Sequence, residues 1–475
     1  MDPIDARPSP RPVPALDRRA FLHTAAATLL LPSLIRPGAS SAAAPRRPVP
    51  SPAQLRWQQD ELALFLHFGV NTFTDREWGD GTEPPSIFNP TGLDARQWAR
   101  SARAAGFKAM ILTAKHHDGF CLWPTATTRH SVASSPWKNG TGDVVQEFVT
   151  ACREVGLRPG LYCSPWDRNS PVYGDSAAYN DLYETQLTEL LTRYGPLDEV
   201  WFDGANGEGP TGRRQVYDWP RVFGLVKRLQ PEAVIFSDAG PDVRWIGNEK
   251  GEAGDPCWST IDPDAVPYPG ADDPGIIAAL QHGSPEGSVW RPGESDTSIR
   301  PGWFYHPGED EQVKPVEELV RLYLSSVGRN SKLLLNVPPT REGLLHATDV
   351  ERLGQFRTAR DRMLGLDLAA GRRVGWSRDA ADMMVAEVIL GRTARIGLID
   401  LGEPIASGQR VAQYRVEALT ARGWQGVARG TTIGYRRLQP IAPIDAQRIR
   451  VVVEAAVESP RPLRIALYDG DGVPA

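Results

Sequence analysis

From about residue 60, the chain alternates amphipathic helical segments with short apolar runs. Residues 94–105 place Trp98, Ala102 and Ala105 on one helical face, Gly106 follows, and residues 109–112 are continuously apolar. A helix that ends at glycine and leads into a short apolar strand is typical of parallel α/β structure, in which helices cover the sheet. The pattern predicts one helix–strand unit here.

The same pattern recurs along the chain and predicts a closed sheet. At least five such units, together with an earlier strand over 62–68, favour a (β/α)8-like (TIM-type) barrel over an open sheet. Further helices are predicted over 143–155, 182–194, 222–229 and 316–327, and further strands over 157–162, 198–202, 233–238 and 332–336.

After about residue 365 the hydrophobic period changes to two. Runs such as 449–453 and 463–467 alternate between turns rich in Gly, Pro and Asp, which predicts a C-terminal antiparallel β-sandwich. We therefore expect a catalytic barrel over 45–365 and a sandwich over 366–475. The segments 423–425 and 430–435 resemble discoidin-like modules. We expect this domain to buttress the barrel, with glycan binding as the alternative.

Residues 1–44 have the three zones of an export signal. Arginines precede an apolar run over 25–31, and small residues follow through Ala44. Arg18 and Arg19 before Phe21 resemble a twin-arginine signal, with a disordered Arg/Pro-rich leader as the alternative. The sequence predicts an exported protein, in the bacterial periplasm or secreted, that is not inserted in the membrane once the signal is removed.

Composition narrows the classes of partner. The formal net charge of −5 is spread along the chain without a basic stripe, so we expect no nucleic-acid partner. The 14 tryptophans offer flat apolar faces that suit sugar rings. The four cysteines form no Cys-x-x-Cys pattern and predict buried thiols rather than a metal site or a disulfide framework. The sequence gives no reason to expect a cofactor, and it does not determine the oligomeric state.

Polar and aromatic residues collect where the predicted strands end. In barrels of this class the chemistry sits at the carboxyl ends of the strands. An isolated Asp-Gly pair such as Asp203-Gly204 is a common turn signal, but its position on this rim favours a functional aspartate. The residues at these ends are His67, His116, His117, Tyr162, Asp167, Trp201, Asp203 and Asp238.

Two kinds of chemistry fit such a rim. A metal site with His116, His117 and Asp118 is one, but adjacent strand residues point to opposite faces and no His-x-His or His-Glu-x-x-His motif completes it. Neutral imidazoles can instead hydrogen-bond an uncharged polyol. Both histidines reach one cavity only if the strand has ended by His116, and we expect no metal.

The second kind of chemistry that fits this rim is glycoside hydrolysis by two carboxylates. Asp203 at a strand tip suits the nucleophile, and a second carboxyl group would protonate the leaving oxygen. Glu249 is a plausible acid because the glycine-flanked segment 247–251, which follows Trp245, could carry it over the site. The acid candidates after Asp238 are Asp242, Glu249, Glu252, Asp255, Glu286 and Glu294.

Five motifs follow one another along the chain: His67-Phe68-Gly69, residues 115–120 (KHHDGF), residues 201–204 (WFDG), residues 300–305 (RPGWFY) and residues 328–339 (GRNSKLLLNVPP). This ordered set resembles glycoside hydrolase family 29, the α-L-fucosidases. The resemblance runs from about residue 52 to the C-terminus. It implies a barrel, a β-sandwich and a retaining mechanism that acts on a fucosylated oligosaccharide or glycoconjugate.

The resemblance also implies roles for residues. It makes Asp203 the nucleophile and Glu249 the acid/base. The residues implied to bind fucose are His67, Glu77, Trp78, His116, His117, Tyr162, Trp201 and Trp303. The Gly-Asn-Glu loop, residues 247–249, and residues 300–305 are similar to those of the family branch that prefers α-1,3- and α-1,4-linked fucose. A retaining glycosidase for another sugar and a catalytically inactive carbohydrate-binding barrel are the alternatives.

Overall fold

The computed structural model describes residues 47–474. The predicted export signal over 1–44 lies outside the described residues and stays a prediction, as do the domain boundaries at 44/45 and 365/366. No helix among the described residues is long and apolar enough to cross a membrane. The four cysteines are buried and free, as the sequence predicted.

The described chain alternates helices and strands and then becomes all-β. The helices are α1 (Pro52–Asp60), α2 (Val70–Thr74), α3 (Ala95–Ala104), α4 (Val144–Glu154), α5 (Ser176–Arg193), α6 (Trp219–Leu229), α7 (Pro274–His282), α8 (Val316–Ser325) and α9 (Ala347–Met363). The strands are β1 (Leu62–Leu66), β2 (Ala109–Lys115), β3 (Arg158–Cys163), β4 (Glu199–Trp201), β5 (Val234–Phe236), β6 (Arg244–Trp245), β7 (Thr260–Ile261), β8 (Val289–Trp290), β9 (Gly293–Ser298), β10 (Lys332–Asn336), β11 (Val374–Arg378), β12 (Met384–Gly402), β13 (Val411–Thr420), β14 (Gly423–Gly430), β15 (Arg437–Ala456) and β16 (Arg464–Tyr468).

Eight parallel strands form the barrel. Their order is β5-β4-β3-β2-β1-β10-β9-β6. A parallel bridge between Phe236 and Val243 joins the two ends of this order, and the Val243 amide donates to the Ile235 carbonyl at 3.2 Å. The predicted TIM-type fold class is confirmed.

The predicted units match the structure most closely where the strand is apolar. The prediction of a strand over 332–336 coincides with β10, and each of its five residues is buried. Helix α5 begins at Ser176, six residues before the predicted start, because Asp175 caps it through the Ala178 amide. Apolar strands that are covered by helices can therefore be predicted from the sequence.

Strands β6 and β9 were missed. β9 has the sequence Gly-Glu-Ser-Asp-Thr-Ser and is fully buried, so it lacks the apolar pattern on which strand prediction depends. Its inward residues are carboxylic acids that tryptophans stabilise: the Trp201 indole N–H donates to Glu294 at 3.1 Å, and that of Trp245 donates to Asp296 at 2.8 Å. Partners distant in sequence therefore make this polar strand possible.

The C-terminal domain is an antiparallel sandwich-like sheet, which confirms the rest of the predicted fold class. Its strand order is β11-β12-β15-β13-β14, with β16 paired to β12. β12 and β15 span 19 and 20 residues and shift register near Ile389 and Ile396. These irregularities let two long strands bend around the sandwich core.

Asn330 joins the barrel to the sandwich. It is buried, with a φ of 65°. Its side-chain NH2 donates to the Cys257 carbonyl and to Ser259 in the barrel and to Gln409 in the sandwich, at 3.0 to 3.3 Å, while its Oδ1 accepts from the Tyr435 amide at 2.7 Å. One side chain therefore satisfies buried polar groups of both domains.

Replacing Asn330 with alanine is expected to lower the free energy of unfolding by on the order of 3 kcal/mol, because buried polar groups lose their partner. Chemical unfolding of both proteins measures the change. Asn139→Ala is the matched control, since Asn139 has a φ of 55° but is exposed. Equal losses in the two variants would assign the effect to backbone conformation and not to the domain contact.

Candidate active site

A cavity of about 270 Å³ opens at the carboxyl ends of the barrel strands. Phe65 and Trp201 are among the buried residues of its wall, and Trp201 stacks on Phe236 with ring centres 4.1 Å apart. The lining residues are Phe65, His67, Trp78, His116, His117, Trp201, Asp203, Gly204, Ala205, Asp238, Trp245, Glu249, Asp296 and Trp303.

Asp203 follows β4 and holds its carboxylate between two donors. The Ala205 amide donates to Oδ1 at 2.7 Å, and the Tyr162 hydroxyl donates to Oδ2 at 3.3 Å. Burial raises the pKa of Asp203, and these two hydrogen bonds oppose the rise. Burial has the larger effect of the two.

The backbone beside Asp203 requires a glycine. A Cβ at position 204 would overlap the Asp238 carboxylate and the backbone of Gly270. Asp238 lies two residues after the end of β5 and accepts from the Gly270 amide at 2.7 Å. Burial and the charge of Asp203 raise the pKa of Asp238 to about 7. Gly204 thus lies at a close contact between loops of the rim.

The three histidines of the rim all line the cavity. β2 ends at Lys115, which frees His116 and His117 from strand alternation, as the prediction required. Burial lowers the pKa of His116 well below its usual value, and the pKa values of His67 and His117 to about 3. The imidazoles are therefore neutral.

The hydrogen bonds of His67 and His117 define their tautomers. His67 Nδ1 contacts Asn336 Oδ1 at 2.9 Å, and an amide oxygen can only accept, so Nδ1 carries the proton. His117 Nδ1 lies 2.7 Å from Ser164, whose hydroxyl donates to the Trp166 carbonyl. Both rings consequently keep an unprotonated Nε2 that can accept a sugar hydroxyl.

Two of the residues named at the strand ends lie away from the cavity surface. Tyr162 is fully buried behind Asp203 and reaches the site only through its hydroxyl. Asp167 pairs with the buried Lys115 at 3.1 Å. Asp118, the third member of the metal alternative, turns away and accepts from the Asn71 side chain at 3.1 Å and the Phe120 amide at 2.7 Å.

Glu249 is the one acid candidate whose side chain lines the cavity. It sits on the exposed rim, and its partial burial raises its pKa, helped by the charges of Asp203 and Glu77 and opposed by a polar contact with Trp303. Glu294 is fully buried beneath the cavity, where it accepts from Trp201. Asp242 pairs with Lys227 and Asp255 with Arg437, so neither is free for chemistry.

Trp78 lines the cavity, whereas its neighbour Glu77 does not. The Glu77 carboxylate accepts from the amides of Trp303 at 3.0 Å and Phe304 at 3.1 Å, and it contacts His306 at 3.1 Å. It therefore fixes the segment that carries Trp303 and does not itself line the cavity. Trp78 does line it and is 57% exposed, packing edge-on against His117.

Sequence reasoning missed Asp296 and Trp245 as cavity residues. Asp296 lies on the polar strand β9, and Trp245 is its hydrogen-bond partner from β6. The available signal was that Glu294 and Asp296 are two residues apart, because residues at that spacing lie on the same face of a strand. Without an apolar pattern, that signal did not identify the segment as a strand.

The cavity combines neutral donors and acceptors with carboxyl groups and aromatic faces. None of the described residues that line it is a lysine or an arginine. Such walls suit an uncharged polyol, whose hydroxyls need hydrogen-bond partners and whose apolar face packs on indole. Glycoside hydrolysis requires a nucleophile and an acid, and carboxyl groups can fill both roles.

Comparison with known proteins agrees with this geometry. Residues 49–358 match the family model described as Alpha-L-fucosidase. Alpha-L-fucosidase 1 of Arabidopsis thaliana is 43% identical over 454 residues, which cover 89% of this chain and 88% of the plant protein. A GH29 fucosidase of Ruminococcus gnavus in complex with fucose is 32% identical with a TM-score of 0.81, covering 91% of this chain and 98% of that one. A family member from an unknown rumen bacterium is 40% identical with a TM-score of 0.83, covering 90% and 78%. The chain therefore belongs to the α-L-fucosidase family, glycoside hydrolase family 29, and its activity is the hydrolysis of α-L-fucosides.

Proposed function

We propose that this α-L-fucosidase is a retaining exo-enzyme that releases terminal α-1,3- or α-1,4-linked L-fucose from oligosaccharides or glycoconjugates. Asp203 is the nucleophile and Glu249 the acid/base. The observation that carries the proposal is that Asp203, on a rigid strand tip, and Glu249, on an exposed loop, line the same cavity.

The size of the cavity supports exo action. A volume of about 270 Å³ lies near the lower end, roughly 300 Å³, of the range for small-molecule pockets, so it suits one sugar ring. Phe65 and Trp201 are buried in its wall. A terminal fucose fits this shape better than an internal residue.

The surroundings of Asp203 support its role as nucleophile. Its carboxylate is held from both sides by Ala205 and Tyr162, and its side chain is 29% exposed, so that it can reach a substrate. Asp238 and Asp296 are less suited. The Gly270 amide occupies one oxygen of Asp238, and Trp245 holds Asp296 on the buried wall.

The chemistry then follows in two displacements. Asp203 attacks the anomeric carbon while Glu249 gives its proton to the glycosidic oxygen, so the bond to the leaving sugar breaks and a fucosyl ester forms. Glu249, now ionised, takes a proton from water, and the resulting hydroxide cleaves the ester. Asp203 and the protonated Glu249 are regenerated, and the released fucose keeps the α configuration.

The linkage preference rests on the Gly-Asn-Glu loop and on residues 300–305. In this chain Arg300 is fully buried and pairs with Asp349 at 2.9 Å and with Asp310 at 2.8 Å. Together with Glu77, these contacts fix the segment that brings Trp303 into the cavity wall. A rigid Trp303 beside Glu249 would shape the side from which the leaving sugar departs.

Incubation with α-1,2-, α-1,3-, α-1,4- and α-1,6-fucosylated oligosaccharides tests the linkage. We expect fucose release from the α-1,3 and α-1,4 substrates at rates well above those from the other two, measured by quantifying free fucose over time. Comparable release from the α-1,2 or α-1,6 substrates would contradict the linkage preference and leave the fucosidase activity itself intact.

Replacing Asp203 with alanine is expected to lower kcat at least about 1000-fold, because the covalent intermediate can no longer form. Added azide should partly restore turnover by attacking the anomeric carbon directly. A single displacement inverts the configuration, so NMR should show a β-fucosyl azide. Full activity without azide, or an α-configured azide product, would remove Asp203 from this role.

Replacing Glu249 with alanine should affect substrates unequally. We expect fucosides with poor leaving groups to lose roughly 100- to 10,000-fold in kcat/KM, and activated aryl fucosides to lose much less in the first step. In the unaltered enzyme the raised pKa of Glu249 keeps it protonated to higher pH, so kcat/KM should fall only above the ordinary range of a glutamate, and this alkaline limb should vanish in the variant.

Glu252→Gln is the matched control for this experiment, since Glu252 is exposed on the same loop and does not line the cavity. It should retain the rate and the pH profile of the unaltered enzyme. Equal losses of Glu249→Ala on all leaving groups would show that another residue supplies the proton.

A further inference from the structure

The cavity holds more carboxyl groups than the proposed mechanism uses. Asp203, Asp238, Glu249 and Asp296 all line it, and no lysine or arginine is among the residues within 47–474 that line it. Asp238 has an evident structural partner in the Gly270 amide. Asp296 is the remaining group without an assigned role.

Asp296 has one satisfied oxygen and one free oxygen. It is 4% exposed, and its Oδ1 accepts from the Trp245 indole at 2.8 Å. Among residues 47–474, the Trp245 indole is the one side-chain donor to this carboxyl group, and it binds Oδ1 and not Oδ2. Because Asp296 lines the cavity, Oδ2 is the part of this buried side chain that is available to a ligand.

The charged groups around Asp296 are mostly negative. Glu249 and Asp203 face it from the loop after β6 and from β4, and His67 on the adjoining wall is neutral. Glu294, two residues earlier on the same face of β9, lies below it. Lys332 on β10 is the nearby cation, but it contacts Glu199 at 3.2 Å and Glu294 at 3.9 Å.

An ionised carboxylate is unfavourable in these surroundings. A buried charge needs a cation or several donors, and Asp296 has one indole N–H. Burial, followed by the charge of Glu249, raises the pKa of Asp296 well above its usual value. The same logic keeps a carboxylic acid neutral in other enzyme sites, where it then acts as a hydrogen-bond donor.

We propose that Asp296 is a further substrate-binding residue that works as a neutral carboxylic acid, accepting from Trp245 through Oδ1 and donating its proton from Oδ2 to an oxygen of the bound fucoside. The ligand it recognises is an oxygen acceptor, a ring or hydroxyl oxygen on the side of the sugar nearest Glu249. His67 and His117 offer unprotonated nitrogens to sugar hydroxyls, and Asp296 supplies the complementary donor.

A neutral Asp296 also suits the proposed mechanism. Glu249 must ionise when it gives up its proton, and a second fixed negative charge beside it would oppose that step. Trp245 is four residues before Glu249, so the Trp245–Asp296 hydrogen bond additionally anchors the start of the loop that carries Glu249.

Two replacements of nearly equal size test the proposal. Asp296→Asn keeps an acceptor for Trp245 and a donor toward the ligand, whereas Asp296→Leu keeps neither. On an activated aryl fucoside, we expect Asp296→Asn to keep kcat/KM within about tenfold and Asp296→Leu to lose roughly 10- to 100-fold beyond it. This contrast does not depend on Glu249 being the acid, because the activated leaving group needs no proton.

The pH profile on an unactivated fucoside gives the second measurement, and this part rests on the proposed role of Glu249. If Asp296 is neutral, Asp296→Asn removes no charge and leaves the alkaline limb of kcat/KM where it was. If Asp296 is ionised, its loss lowers the pKa of Glu249, and the limb moves toward acid by about one pH unit or more. Such a shift would overturn the proposal.

The Asn variant also keeps the test valid if Asp296→Leu folds poorly, which thermal unfolding of each variant would show. Loss of activity in Asp296→Asn as large as in a folded Asp296→Leu would mean that the ligand needs an acceptor here, and would overturn the proposal as well. Glu252→Gln is again the control, because it also replaces an acidic residue on this rim and Glu252 does not line the cavity.

Discussion

Carboxyl groups held inside the barrel by indole N–H donors are the constraint on which the rest of this structure depends. The pairs are Trp57 with Glu199, Trp201 with Glu294, and Trp245 with Asp296, at 2.8, 3.1 and 2.8 Å. An indole gives one hydrogen bond and covers the carboxyl group with apolar surface, so it stabilises a neutral or partly neutral acid better than a cation would. Lys332 contributes one positive charge beside the first of these pairs. Its ammonium contacts Glu199 and also lies over the Trp57 ring.

This arrangement determines the character of the cavity above it. Trp201 is fixed by Glu294 from below and by Phe236 from the side, so the wall beside Asp203 is flat, apolar and rigid. The histidines are neutral because burial opposes their charge and no free carboxylate pairs with them closely; His117 Nε2 lies 3.9 Å from Asp203. An uncharged sugar therefore meets hydrogen-bond partners without having to displace an ion pair, and the proposed nucleophile Asp203 lies beside this wall.

Contacts between distant loops hold this rim in place. Glu77 binds the backbone of Trp303 and Phe304, and Asp238 binds that of Gly270. Two further contacts involve the sandwich. Asp255, which follows Glu249 in the chain, pairs with Arg437 of the sandwich. Asn330 hydrogen-bonds Gln409 and the Tyr435 amide of the sandwich. The sandwich thus contacts the segment that follows Glu249, and its role as a buttress stays a prediction.

The sequence by itself determined the repeating helix–strand units, the change to period two near residue 365, and the collection of polar residues at strand ends. These features are legible because apolar strands such as β10 and glycine stops such as Gly106 act locally. Only the tertiary structure decided that Glu249 and not Glu294 reaches the cavity, that Glu77 holds a loop, and that Asp296 is a wall residue. The physical reason is that the position and the charge of a buried carboxyl group depend on partners far away in the sequence. β9 is a strand because Trp201 and Trp245 stabilise its acids, and the pattern of its own six residues does not predict this.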